Sequence, residues 1–182
     1  MRHTQRVSTW AAAAALICAL SGCRQGPRPI AGADSPLPGG EASAEFIDRV
    51  EGQVNVNQND AFRGVLLLLE SKDESKGFGE RARKLIDRGI VPDTWELDAL
   101  KPIRREQLAC MICKGVKAEG GVWHSLYGHT LRYCLQEMQH QGFIVQGLGN
   151  TPVSGSEFVA VLARADAYLQ QGEIPEALKP KQ

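Results

Sequence analysis

The chain has 182 residues, with 21 basic and 21 acidic side chains, so its formal net charge is zero. A nucleic-acid binder should carry a strongly basic face, and this balance argues against one. Beyond the first two dozen residues the longest apolar run is VLLLL, residues 65–69, far short of the roughly 20 apolar residues that a membrane-spanning helix needs.

The first 22 residues read as a targeting signal. Arg2 and Arg6 make a basic start, and residues 10–20 are an unbroken run of apolar and small side chains, too short to span a bilayer but suited to a signal segment. The run ends in LSGC, residues 20–23, which resembles the bacterial lipobox. The resemblance implies that Cys23 is acylated through its thiol and becomes the first mature residue, with Cys18 lost in the leader. The alternative is an ordinary leader followed by an unrelated cysteine. Acyl chains contribute about 0.8 kcal/mol per buried methylene, enough for several of them to hold a protein on a bilayer. Arg24 stands where an aspartate often signals inner-membrane retention, so the expected location is the cell envelope, on the outer membrane where the cell has one.

Removing residues 1–22 takes away two arginines and no acids, leaving 19 basic against 21 acidic side chains. Residues 23–45 place four prolines among Gly, Ala and Ser, a composition that buries too little apolar surface to offset ordering entropy. They are expected to form a flexible tether. The folded domain is placed at residues 46–171, with a flexible tail at 172–182.

Within the domain, NQNDAFRGVLLLLE (57–70), IRREQLACMICK (103–114) and VSGSEFVAVLAR (153–164) align with Phe62 on Leu108 and Phe158. Val65, Met111 and Val161 then coincide, as do Leu66, Ile112 and Leu162, which is the i, i+3, i+4 spacing of one buried helix face. Asn59 or Asp60 is expected to cap the first helix. Ser154, with Glu157 three residues on, has the capping-box pattern for the third. Pro102 and Pro152 precede the second and third in extended lead-ins.

Two further segments, FGERARKLIDRGIV (78–91) and LRYCLQEMQHQGFI (131–144), align at Gly89 and Gly142, so that Phe78, Ala82 and Leu85 fall on Leu131, Leu135 and Met138. Each reads as an amphipathic helix stopped by a left-handed glycine and followed by an apolar clip, Ile90–Val91 or Phe143–Ile144. The unit recurs at roughly 46 to 54 residues, which predicts a mainly α fold: a compact bundle of helix-loop-helix repeats with very short extended segments.

The segments PIRREQL (102–108) and PVSGSEF (152–158), preceded by RGIV and QGFIV, resemble the S-layer homology domain. Its repeats carry a helix ending near a Gly-Ile pair, a loop, and a second helix introduced by a Pro-Ile-Thr-Arg-Ala-Glu-Phe type of sequence. The resemblance covers residues 60–169, about two full units and the leading helix of a third. In that family the Thr-Arg-Ala-Glu stretch helps bind cell-wall polysaccharide, which implies ligand-binding roles for Arg105 and Glu157, the matching arginine and glutamate. Arg104 replaces the threonine and Gly155 replaces the arginine of the other copy. Neither copy is complete, so the resemblance implies the fold more firmly than the site.

Cys110 and Cys113 fall on Ala160 and Ala163 in the repeat frame, and several uses stand open for them. One is as small buried hydrophobes. Another is a disulfide from one of them to Cys134, since the compartment outside the inner membrane is oxidising. Bridging Cys110 to Cys113 within one helix would have poor geometry. A zinc site would need His124 or His129 as a fourth ligand, with no second CxxC or HxxxH in support. CMICK also resembles a lysine-ligated variant of the c-type haem attachment motif.

His124 shares a stripe with Tyr127, Leu131 and Leu135, whereas His129, Gln136 and His140 lie towards the other side. Trp95 and Trp123 are candidates for stacking on a sugar ring or a partner, or else for filling the core. No phosphate loop, nucleophile elbow or HExxH stands in the chain, so no catalytic residue, metal or cofactor is assigned. The resulting expectation is a non-catalytic cell-envelope lipoprotein that binds cell-wall polymer or an envelope protein partner. The alternative is a metal-, haem- or redox-active exported protein using Cys110, Cys113 and Cys134.

Overall fold

The computed structural model describes residues 30–31, 43–117 and 130–180, and among these the chain is mainly helical, with no strand. Its elements in order are α1 (Ser43–Glu51), α2 (Gln58–Glu70), α3 (Phe78–Asp87), α4 (Arg105–Gly115), α5 (Leu131–His140), α6 (Gly155–Gln171) and a 3-10 turn (Glu176–Leu178). The second helix of each successive pair packs on the first helix of the next: α2 on α3, α4 on α5, and α6 back on α1. The bundle thereby closes on itself.

The closure is sealed by backbone hydrogen bonds among the three lead-ins. Ile103 N–H donates to Val56 O at 2.8 Å, Val153 N–H to Ile103 O at 3.1 Å, and Val56 N–H to Val153 O at 2.8 Å. These β-branched residues suit extended backbone, and all three are fully buried, so each donor needs the partner the ring supplies. The extended segments amount to isolated bridges, Asn57 with Pro102 and Arg104 with Pro152, rather than strands.

Each lead-in ends in a helix cap. Ser154 Oγ accepts from Glu157 N–H at 3.3 Å, as its spacing predicts. On α2 the cap is Asn57, whose side-chain oxygen accepts from Asp60 N–H at 2.8 Å; Asn59 and Asp60, expected as caps, instead lie buried in the first turn. On α4 the Gln107 side-chain oxygen accepts from Arg104 N–H at 3.1 Å. The helix stops also match. Gly89 and Gly142 adopt φ of +69° and +83°. Beyond them Ile90 and Val91 donate to Leu85 O, and Phe143 and Ile144 to Met138 O, which tucks both apolar clips under their helices.

The domain edges differ from the sequence expectation. Helix α1 opens at Ser43, inside the stretch assigned to the tether, and Phe46 and Val50 on it are buried. Upstream, Ala31 N–H donates to Leu97 O and Ala31 O accepts from Ala99 N–H, so a piece of the proline-rich segment docks on the loop before α4. After Gly172 the chain also stays on the bundle: Ile174 is buried, and Arg164 donates to Leu178 O at 2.6 Å.

Candidate functional site

The first turns of α4 and α6 are where the resemblance placed Arg105 and Glu157 as ligand contacts. Arg105 is the first residue of α4 and Glu157 the third of α6. They face each other. Arg105 Nε donates to Glu157 Oε1 at 2.7 Å and Nη2 to Oε2 at 2.9 Å, a two-pronged guanidinium–carboxylate fork, while Nη1 donates to Leu148 O at 3.3 Å. Both side chains are only 14 % exposed. The hydrogen bond to Glu157 raises the Arg105 pKa further, so the guanidinium stays charged and its charge is met within the protein. The two residues brought together as ligand contacts therefore clamp α4 to α6.

At α2 the equivalent third position is Asp60, which sequence reasoning treated as a cap. Its carboxylate accepts from Arg49 at 3.1 and 3.2 Å, from Gln53 at 2.8 Å and from Asn57 at 3.1 Å. Arg49 arrives from α1 because the first position of α6 is Gly155. A Cβ on Gly155 would collide with the backbone carbonyls of Val50 and Glu51, so no arginine fits there. Instead Gly155 N–H donates to Gln53 O at 2.8 Å. Gly155 is thus required by the close approach of α1, and the cation that meets Asp60 is Arg49.

A second cluster joins α4 to α5. Cys110, Cys113 and Cys134 are all free thiols and buried. Cys134 is hydrogen-bonded to both of the others: that contact lowers the pKa of Cys110 and of Cys113 and, reinforced by burial, pushes Cys134 well above the ordinary thiol range. The repeat frame placed Cys110 and Cys113 in seats filled by alanine in α6, but Ala160 is only half-buried and Ala163 is exposed. What buries the cysteines is the close packing of α5 on α4. Among the described residues no group of three or more His, Cys, Asp or Glu is arranged to hold a metal ion.

Trp95 lies in the loop before α4, partly buried against the core, rather than presented as a free stacking platform. Gln136 and His140 on α5 are exposed, as their helix face predicts. Cys23, Trp123, His124, Tyr127 and His129 lie outside the described residues.

Several buried polar groups escaped the sequence reading, Arg81 the most deeply buried cation among them. Arg81 on α3 is 1 % exposed, with Nε donating to Asp73 Oδ2 at 2.5 Å and Nη1 to Asn59 Oδ1 at 2.6 Å. Its spacing was the signal: Arg81 falls on the stripe of Phe78, Ala82 and Leu85, where a charged side chain must find partners in the interior.

Among the described residues no helix is long and apolar enough to cross a membrane. Compared with protein-family models, curated proteins and solved structures, the chain matches none.

Proposed function

We propose that the chain is a non-catalytic cell-envelope lipoprotein, anchored through an acylated Cys23, whose helical units are S-layer-homology-like repeats serving as a binding module. Of the two ligands that this reading allows, a protein partner of the envelope is favoured over cell-wall polymer. The observation that carries this preference is the fork between Arg105 and Glu157. An arginine whose charge and donors are taken up by a carboxylate from a neighbouring helix has little left for an anionic or polyhydroxylated polymer.

The test is a pull-down with the acylated full-length chain, using purified wall polymer in one arm and detergent-solubilised envelope proteins in the other. Wild type and Arg105→Ala should retain polymer no better than an unrelated lipoprotein, while both capture the same envelope protein. Saturable polymer binding by wild type that disappears in Arg105→Ala would overturn the preference.

A second reading, redox chemistry in an exported protein, is favoured by the meeting of Cys110, Cys113 and Cys134 at one helix interface. Thiol titration of the denatured mature chain separates the two. Three free thiols beside Cys23 support the binding module, whereas one free thiol reports a bridge from Cys134 to Cys110 or Cys113.

A further inference from the structure

Three large apolar side chains stand almost wholly in solvent: Val54 at 83 %, Leu100 at 69 % and Leu148 at 74 %. Singly such residues are unremarkable, but these belong one each to the lead-ins of α2, α4 and α6, which the backbone ring joins. Val54 and Leu100 are two and three residues from the ring members Val56 and Ile103, so extended chain at about 3.3 Å per residue keeps both within about 10 Å of it. Leu148 is tied to the same end because its carbonyl accepts from Arg105, the first residue of α4.

An independent observation says what lies opposite this end. Ala31 is hydrogen-bonded to Leu97 and Ala99, immediately beside Leu100, so the amino-terminal chain joins the bundle at the same place. From Cys23 to Ile30 is seven residue steps, which reach at most about 25 Å when fully extended. An acyl group on Cys23 would therefore keep the three-loop end within about 25 Å of the bilayer. The exposed ion pair beside it, Lys101 with Glu96, can exchange its carboxylate for a headgroup phosphate at little cost.

We infer that the three-loop end is the membrane-facing surface of the protein, with Val54, Leu100 and Leu148 seated at the headgroup–acyl boundary of the leaflet that carries Cys23. This rests on the lipoprotein reading above. It leaves the sides of the bundle for a partner, and it makes the ring region a contact with phospholipid rather than with wall polymer.

The test uses the acylated full-length chain in vesicles of phosphatidylethanolamine and phosphatidylglycerol carrying brominated acyl chains. Two variants report position: Leu148→Trp in the three-loop end, and Leu169→Trp, also exposed but 14 residues along α6 from Gly155, about 21 Å away at 1.5 Å per residue. After subtraction of the native tryptophan signal, Trp at 148 should be quenched at least about twofold more than Trp at 169, as expected for a side chain 5–10 Å into the boundary. Equal quenching, or stronger quenching at 169, would overturn the orientation. The mass of the amino-terminal peptide is read in parallel: an unacylated Cys23 defeats the lipoprotein reading and the inference with it. An acylated chain without preferential quenching at 148 defeats the orientation alone, including the case where a protein covers the three loops.

Discussion

Arg81 on α3 and Cys134 on α5 stand at the same distance from their helix stops, eight residues before Gly89 and Gly142, and each faces the preceding long helix. The α2–α3 interface fills that seat with a guanidinium, held by Asp73 from the intervening loop and Asn59 from α2. The α4–α5 interface fills it with a thiol that meets two further thiols on α4. The same backbone frame thus accepts a buried ion pair or a cluster of small neutral groups. The two are not equally robust, because a buried charge must have its partner, whereas a buried thiol asks only for volume.

The sharpest way to break the comparison is therefore at Arg81. Arg81→Met leaves the Asp73 carboxylate buried and unmatched and should lower unfolding stability by about 3–5 kcal/mol, read from urea denaturation. Adding Asp73→Leu should restore most of that loss, because removing both charges leaves neither uncompensated. If the single variant unfolds no more easily than wild type, the interior ion pair is not what holds α3 in place.

Acid should reveal the same asymmetry. Burial pushes the Asp73 carboxyl up, but hydrogen bonds from Arg81 and Ser75, with the guanidinium charge, outweigh it and leave the pKa below its ordinary 3.8. The folded chain therefore takes up the proton less readily than the unfolded chain. The stabilisation is complete above the unfolded value, near 3.8, and is lost as pH falls through the lower folded value. Wild type should lose urea resistance steeply below about pH 4, more steeply than the Arg81→Met, Asp73→Leu chain. Parallel acid profiles would remove Asp73 from the account.

At the other interface the effect is smaller. The Cys134 thiol remains neutral at ordinary pH, since its contacts with Cys110 and Cys113 and its burial all push its pKa up. Cys134→Ala removes packing but no charge, and should cost about 1–2 kcal/mol with no acid-dependent component. A loss as large as that at Arg81 would mean that the thiols are bridged or bound rather than merely packed.

This contrast also marks how far the sequence could be read. Helix stops at Gly89 and Gly142, the Ser154 cap and the aligned apolar stripes depend on residues within a few positions of each other, and all were legible. The α2 cap was misplaced because Asn57, Asn59 and Asp60 stand within four residues and local propensity does not rank them. The clamp between Arg105 and Glu157 joins residues 52 apart, and no local spacing marks two such residues as each other's partners. Arg49 was invisible as the partner of Asp60, because only the passage of α1 beside Gly155 brings it there. Ile174 was assigned to a tail because one apolar residue in a polar segment carries no periodicity.

The finest test of equivalence between the two units lies at the glycine stops. Gly89 and Gly142 both hold left-handed backbone, at φ of +69° and +83°, where a Cβ costs about 1–2 kcal/mol through its clash with the following carbonyl. If the frames are equivalent, Gly89→Ala and Gly142→Ala should each lower stability by about that amount and by the same amount within error. Their surroundings differ in one respect: a Cβ at 89 meets open space, whereas one at 142 would lie 3.7 Å from Lys179 and Pro180. That is ordinary van der Waals contact, so it adds no clash and gains a little dispersion. An excess loss at Gly142 would accordingly mean that the docked segment after Gly172 presses on α5 more tightly than this separation allows, and that the second unit is held by its tail as well as by its own stop.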